Sequence, residues 1–346
     1  MIASDRRDRR SARLLVVGAD GGMRHLPRAA LASLFDPGDL VIANDAATLP
    51  ACLRGVHSAS GEPIEVRLAG WVSAGDPTRF IALAFGAGDH RTRTEDRLSP
   101  PPLSPGDRLV FGALEAVVER PLDPPCLLRL QFLGDRATVL AGLARHGAPI
   151  QYAHVPEPLA LWDVWTRIAA DPIAFEPPSA GFALDWRTLA IWRRRGVDFA
   201  TLTLAAGVSS TGCPALDSKL PFDEPFRIPE RTAAAIVRAK ANDARIVAIG
   251  TTVVRALESA AMAECGVRAG DGFARGRIVG GTQLRVVDAI LTGVHQPGES
   301  HFELLRAFAP NELLERAASA LVERRYRGHE FGDSLLVERT RAAAFA

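Results

Sequence analysis

The sequence predicts an α/β (α+β) core domain with a mixed sheet, interrupted by an inserted small β-barrel. Three observations lead there. After about residue 150, short apolar runs alternate with stretches of helical period, the strand–turn–helix repeat of a sheet with helices packed on it. Between about residues 53 and 145 the texture changes to alternating runs broken by Gly, Pro, Asp and Ser roughly every ten residues, which suits a small barrel or sandwich. Finally, 346 residues exceed one domain of roughly 150, and 47% hydrophobic against 23% charged residues allow a sizeable core and exclude wholesale disorder. The expected division is a discontinuous core, residues 1–52 plus 150–346, and an insert over residues 53–149.

The elements follow in order. Pro37-Gly38-Asp39 is a turn that feeds a short buried strand, Leu40 to Ala43, which ends in a polar loop at Asn44-Asp45. In the insert, Ile64 to Leu68, Phe80 to Leu83 and Arg108 to Phe111 read as strands, Arg91 to Pro105 as a polar, proline-rich loop, and Arg136 to His146 as a closing helix. Downstream, Trp186 to Arg195 and Glu230 to Lys240 are amphipathic helices, while Phe199 to Leu204 and Arg245 to Gly250 are buried strands. Val253 to Ala263 is a helix directly after the second of these. Leu284 to Leu291 is a further strand, and Ser300 to Phe308 and Asn311 to Arg324 are the last helices.

Basic and acidic residues nearly cancel, 41 against 40, which argues against a general nucleic-acid-coating protein without excluding a local basic patch. Lys219 and Lys240 are the only lysines, so the arginine excess reads as codon bias. Cys52, Cys126, Cys213 and Cys265 form no CxxC pair, which points to reduced thiols in an intracellular protein. No apolar run approaches the roughly 18 residues of a bilayer span. Arg6 to Arg13 followed by Leu14 to Gly18 only faintly imitates a signal peptide; a disordered basic tail, a first strand and a cytoplasmic location are expected.

The sharpest local feature is a hydrophobic strand that ends in Gly250-Thr251-Thr252 and turns straight into a helix. Free N–H groups at a helix start favour an anion, no capping box engages the threonines, and Arg255 one turn in suits a carboxylate or phosphate. The plainer reading is Thr252 as N-cap and Arg255 as a surface residue. A second feature is the polar loop from Leu291-Thr292-Gly293 through His295 to His301. The spacing of its two histidines fits no standard metal-ligand pattern, so His295 is read as a hydrogen-bonding or acid/base residue, or else a structural loop histidine. Ser179-Ala180-Gly181 allows a ligand close to backbone or is a plain helix entry. Gly270-Asp271-Gly272 fails as a dinucleotide loop, and Cys213 is a weak nucleophile candidate.

Together these segments resemble the S-adenosylmethionine:tRNA ribosyltransferase-isomerase family of queuosine biosynthesis, collinearly from about residue 37. Pro37 to Asp45 is similar to that family's PGDLLVxND, Gly250 to Ser259 to its GTTSVRTLES, Leu291 to Pro297 to its LTNFHLPKS, and Tyr326-Arg327 with Phe331-Gly332-Asp333 to its closing YRFxSYGD. The resemblance implies a core interrupted by a β-barrel. It implies S-adenosylmethionine as co-substrate, with no metal or second cofactor. The ribosyl portion passes to an aminomethyl-deazaguanine base in tRNA, and adenine and methionine leave. It also implies an S-adenosylmethionine site of Asn44, Asp45, Ser179, Gly181, Gly250, Thr251, Thr252, Arg255 and Thr292, with His295 in acid/base work and Glu224 or Asp333 as its acidic partner.

The departures matter as much. Where the family has TAGLHFT, TLHVGLGTF and MHSE, the three histidines are Ala183, Thr203 and Phe222 here; only Glu224 survives of the last motif. Neither alanine nor threonine shuttles a proton near neutral pH. The ligand-anchoring half therefore reads as retained and the proton-handling half as rewritten. That leaves three expectations: the parent activity, a relative using S-adenosylmethionine on another, possibly small-molecule acceptor, or a non-catalytic binder.

Overall fold

The computed structural model describes residues 2–3, 11–73, 76–124, 126–263 and 266–340. Arg6 to Arg10 of the expected tail, and Cys265, lie outside these; the first strand of the large sheet opens at Arg13.

Nine strands form one mixed sheet, in the order Gly270–Ala274, Glu224–Ile228, Asp198–Leu204, Leu40–Asn44, Ile246–Ile249, Ala289–Gly293, Ser334–Glu338, Arg13–Val17, Met23–Pro27. The third to sixth are mutually parallel, and antiparallel pairs flank them. Side chains alternate between the faces with period two. Leu40, Ile42, Ile246 and Ala248 enter one apolar layer with the helices Glu230–Ala241, Thr251–Ala263 and Asn311–Glu323. Val41, Ala43, Val247 and Ile249 enter the other, beneath Trp192 of the helix Trp186–Arg195. Covering both faces makes these strands near-continuous apolar runs, which is why they were readable. Asp185 caps that second helix by accepting from the Thr188 N–H at 2.6 Å.

The insert is a closed antiparallel barrel. Its strands run Cys52–His57, Pro63–Trp71, Arg79–Phe85, Leu127–Phe132, Leu114–Pro121, Arg108–Phe111, and the last pairs back to the first through Val56–Val110 and His57–Leu109. The helix Arg136–His146 packs Val139 and Leu143 into the barrel core.

Three expected elements shift. The helix after Gly250 begins at Thr251, and the helix from Ser300 ends at Leu305. The strand expected from Leu284 starts only at Ala289. The cause is Glu258, buried in the neighbouring helix, whose carboxylate accepts from the N–H groups of Arg285, Val286 and Val287 at 2.7, 3.0 and 2.9 Å and so takes donors a ladder would use.

Glu65 and Arg67, two apart on one strand, share a face. The Glu65 carboxylate accepts from Arg97 at 2.8 Å, Arg67 at 3.0 Å and Arg54 at 3.1 Å. Burial alone would push its carboxyl up, but the hydrogen bond from Arg97 and the charge of Arg67 outweigh that and hold it below the ordinary value. A depressed carboxyl contributes stability that is present above its unfolded pKa and is lost as pH falls through the folded value. Glu65→Gln leaves two buried guanidinium groups without their counter-charge and is expected to cost about 3–5 kcal/mol. Urea denaturation of wild type and variant at neutral pH checks it; equal stabilities would mean the network contributes nothing.

Candidate active site

The central parallel strands all end on one side of the sheet, and open α/β sheets hold ligands beyond those carboxyl ends. A cavity of about 1330 Å³ lies against segments leaving three of them, at Ala206-Gly207, Gly250 and His295. Ordinary small-molecule pockets span roughly 300–1,000 Å³, so this one has room for two reactants.

Gly250 has φ of +97°, which favours glycine, and a Cβ there would stand 3.3 Å from that of Ala180. The sharp exit it allows sets the start of the helix Thr251–Ala263, with its unpaired first-turn N–H groups, at the cavity wall. Arg255, 4% exposed, is no surface residue. Its Nη1 donates to Glu224 Oε2, and its Nη2 to the carbonyls of Phe222, Ala274 and Gly276 at 3.0, 2.9 and 3.3 Å. Its Nε has no acceptor among the described residues. The other Glu224 oxygen accepts from the Gly207 N–H at 2.8 Å. Burial pushes the Glu224 carboxyl up, and Arg255 opposes it.

His295 Nδ1 lies 3.2 Å from Glu299 Oε2, and its ring stacks on His301 with centroids 4.5 Å apart. Burial, helped by His295, drives His301 down to about 3, so it is neutral. Burial works to raise the Glu299 carboxyl, but the hydrogen bond and charge of His295 leave it below the ordinary value.

Of the residues singled out in the sequence, Ser179, Glu224, Gly250, Thr251, Thr252, Arg255, Thr292 and His295 line this cavity. Asn44, Asp45, Gly181 and Asp333 are not in its lining. Asn44 Nδ2 donates to Leu204 O at 2.9 Å and to Thr252 Oγ1 at 3.3 Å, bracing the threonine from behind. Asp45 accepts from the Thr203 hydroxyl at 2.7 Å. Gly181 is pressed on Thr166, whose Cγ2 would lie 2.9 Å from an added Cβ. Asp333 accepts from the N–H groups of Arg13 and Arg327 at 2.6 and 2.9 Å, tying the first strand to the closing segment. The acid beside His295 is therefore Glu299, in place of Glu224 or Asp333.

A second polar cluster went unread in the sequence. Tyr152 donates to Glu176, which also accepts from the Ser209 N–H at 3.0 Å; His154 Nε2 and Glu330 Oε2 are 2.8 Å apart; and His329 stacks on His154 at 4.1 Å. His329-Glu330 occupies the x-Ser of the closing motif, which was a legible signal; no motif marked Tyr152, His154 or Glu176.

The fold and the strand-end cavity define an α/β enzyme core carrying an inserted barrel. The chain matches the family described as "Queuosine biosynthesis protein" over residues 2–337. It is 34% identical over 348 residues to the S-adenosylmethionine:tRNA ribosyltransferase-isomerase of Citrifermentans bemidjiense, covering 97% of this chain and 96% of the relative. It is 35% identical over 356 residues to that of Sorangium cellulosum, covering 95% and 93%. The crystal structure of S-adenosylmethionine tRNA ribosyltransferase from Thermotoga maritima shares the fold, with a TM-score of 0.51 and 22% identity over 97% of this chain and 95% of that one. The chain belongs to the queuosine biosynthesis protein family, a family of enzymes. Among the described residues no helix is long and apolar enough to cross a membrane.

Burial pushes the Glu176 carboxyl up to about 7. Between the ordinary Glu pKa of about 4.3 and that value only the unfolded chain ionises here, so this group's effect is that stability falls as pH rises through the window. Glu176→Gln is expected to flatten that fall, read as the difference between wild-type and variant melting temperatures from pH 5 to 8. Parallel curves would show that Glu176 ionises normally.

Proposed function

We propose that this cavity binds S-adenosylmethionine and that the protein transfers its ribosyl portion to an acceptor, with release of adenine and methionine. The observation that carries the reading is the helix start at Gly250-Thr251-Thr252 in the cavity wall, with the Arg255 side chain in the same lining. Those donors suit the methionine carboxylate. Asn44 acts through Thr252, and Asp45 and Gly181 support the wall. S-Adenosylmethionine supplies the sulfonium that activates the neighbouring ribosyl carbon. His295, oriented by Glu299, hydrogen-bonds the adenosyl or leaving group.

The discontinuous core over residues 1–52 plus 150–346 does this work, and the insert over residues 53–149 adds the rim residues Arg93, Thr94 and Glu95. The acceptor is tRNA carrying an aminomethyl-deazaguanine. One observation favours a second acceptor, a small molecule: Ala183, Thr203 and Phe222, where the resemblance implies histidines, are absent from the cavity lining, and the Thr203 hydroxyl is engaged by Asp45.

Mass spectrometry for adenine and methionine, with and without that tRNA, tests the function. Bound S-adenosylmethionine with turnover on tRNA slowed by about 10²–10⁴ is expected, the usual cost of a lost acid/base group. Undiminished adenine and methionine release on that tRNA would show the missing imidazoles dispensable. Binding with no adenine release on any acceptor would leave only a binder. Salt separates the acceptors, since tRNA binding weakens steeply with ionic strength and a small molecule's does not.

His295→Ala is expected to lower adenine release at least roughly tenfold, with a melting temperature close to wild type. A lowered melting temperature with unchanged release per folded molecule would end the catalytic assignment.

A further inference from the structure

Tyr152, His154, Glu176, His329 and Glu330 also line the cavity and have no role in the proposed function. They come from three separated stretches: just after the barrel, before the Ser179–Ala183 turn, and the closing segment. Within this cluster His154 is the side chain arranged to accept a proton. A carboxylate 2.8 Å from Nε2 selects the tautomer protonated there and leaves the Nδ1 lone pair basic. Nδ1 has no hydrogen-bond partner among the described residues. The His329 ring, 21° from parallel at 4.1 Å, and Tyr152 on the other sequence side, 9° from parallel at 6.3 Å, fix the plane of the imidazole. The His154 and Glu330 side chains are 19% and 25% exposed, so the pair is reachable from the cavity yet partly shielded from water.

We propose that His154, positioned by Glu330 and His329, is the base that removes the proton beside the sulfonium. This rests on the S-adenosylmethionine reading above. The C–H bond breaks, its electron pair stays on the ribosyl carbon next to the sulfonium, and the proton goes to Nδ1. The Glu330 carboxylate then faces an imidazolium and stabilises it, as the aspartate does in a Ser-His-Asp triad. His154, His329 and Glu330 also bring ligand atoms within 4.8 Å of one another, which raises a cation as the alternative. The geometry disfavours it. Stacked rings send their in-plane lone pairs alongside one another instead of toward a common point, and Nε2 already faces Glu330.

The test is deuterium uptake into S-adenosylmethionine in D₂O, followed by mass spectrometry, with affinity measured by calorimetry. Wild type is expected to bind and exchange. His154→Gln should bind within about twofold but exchange about 10²-fold more slowly, and Glu330→Gln should fall between in rate with affinity unchanged. A variant that simply misfolds would lose both quantities, so the split between them separates a chemical role from a structural one. Wild-type exchange in His154→Gln overturns the proposal and leaves the binding reading standing, as does a wild type that binds without exchanging. No binding by wild type removes both. Zinc ions alone, titrated into wild type, overturn it if they bind stoichiometrically and the His154→Gln variant does not take them.

Discussion

The buried pair between Arg255 and Glu224 is the interaction on which the site depends. It joins the second turn of the helix after Gly250 to the strand Glu224–Ile228, and the same two side chains hold the Gly207 N–H and the carbonyls of Phe222, Ala274 and Gly276. Three segments that meet the sheet at different strands are thereby fixed relative to one helix start. A buried pair of this kind contributes little net stability compared with apolar packing, yet leaving one partner alone costs several kcal/mol. Its role is better described as fixing geometry. That has a practical consequence for mutagenesis: truncating Arg255 strands the buried Glu224 carboxylate, so loss of binding in such a variant does not by itself identify a ligand contact.

Around that pair the cavity divides by chemistry. The wall at Gly250-Thr251-Thr252 carries the start of a helix, where backbone N–H groups favour an anion. The loop after Gly293 offers a stacked histidine pair in which burial keeps His301 neutral and Glu299 lies beside His295. The lining also carries Glu176, raised by burial, and the His154–Glu330 pair. Groups whose surroundings push their protonation in different directions are what acid/base work needs, and sites with several of them are candidates for it on that ground.

Local rules made much of the fold legible. Leu40 to Ala43 and Ile246 to Ile249 are buried on both faces, so their apolar runs announce strands, and the helix Trp186–Arg195 lies where its period and cap put it. The strand after Leu284 was misread because Glu258, some thirty positions upstream in sequence, takes its N–H groups. The site shows the same boundary. Gly250-Thr251-Thr252 is contiguous and could be read; Asn44 and Asp45 stand next to the right strand end, but their side chains turn toward Thr252 and Thr203. His154, Glu176 and Glu330 meet only through the tertiary fold, which no spacing in the chain encodes.

Charge constrains how an acceptor can enter. The cavity lining carries Glu95, Glu176, Asp217, Glu224, Glu299 and Glu330 against Arg93, Arg255 and Arg277, in a chain whose formal charge is +1. Arg255 is already neutralised by Glu224, and Glu176 is only partly ionised near neutral pH. The remaining acids still outnumber the free cations, so the interior attracts positive groups such as a sulfonium or an amine and repels phosphate. A nucleic acid therefore cannot thread its backbone through this space at low cost. It can present a single extruded base, with its phosphates left outside. A small cationic acceptor meets the same interior without that requirement. The lining thus sets the same electrostatic demand on any group that enters it, a base or a small cation alike.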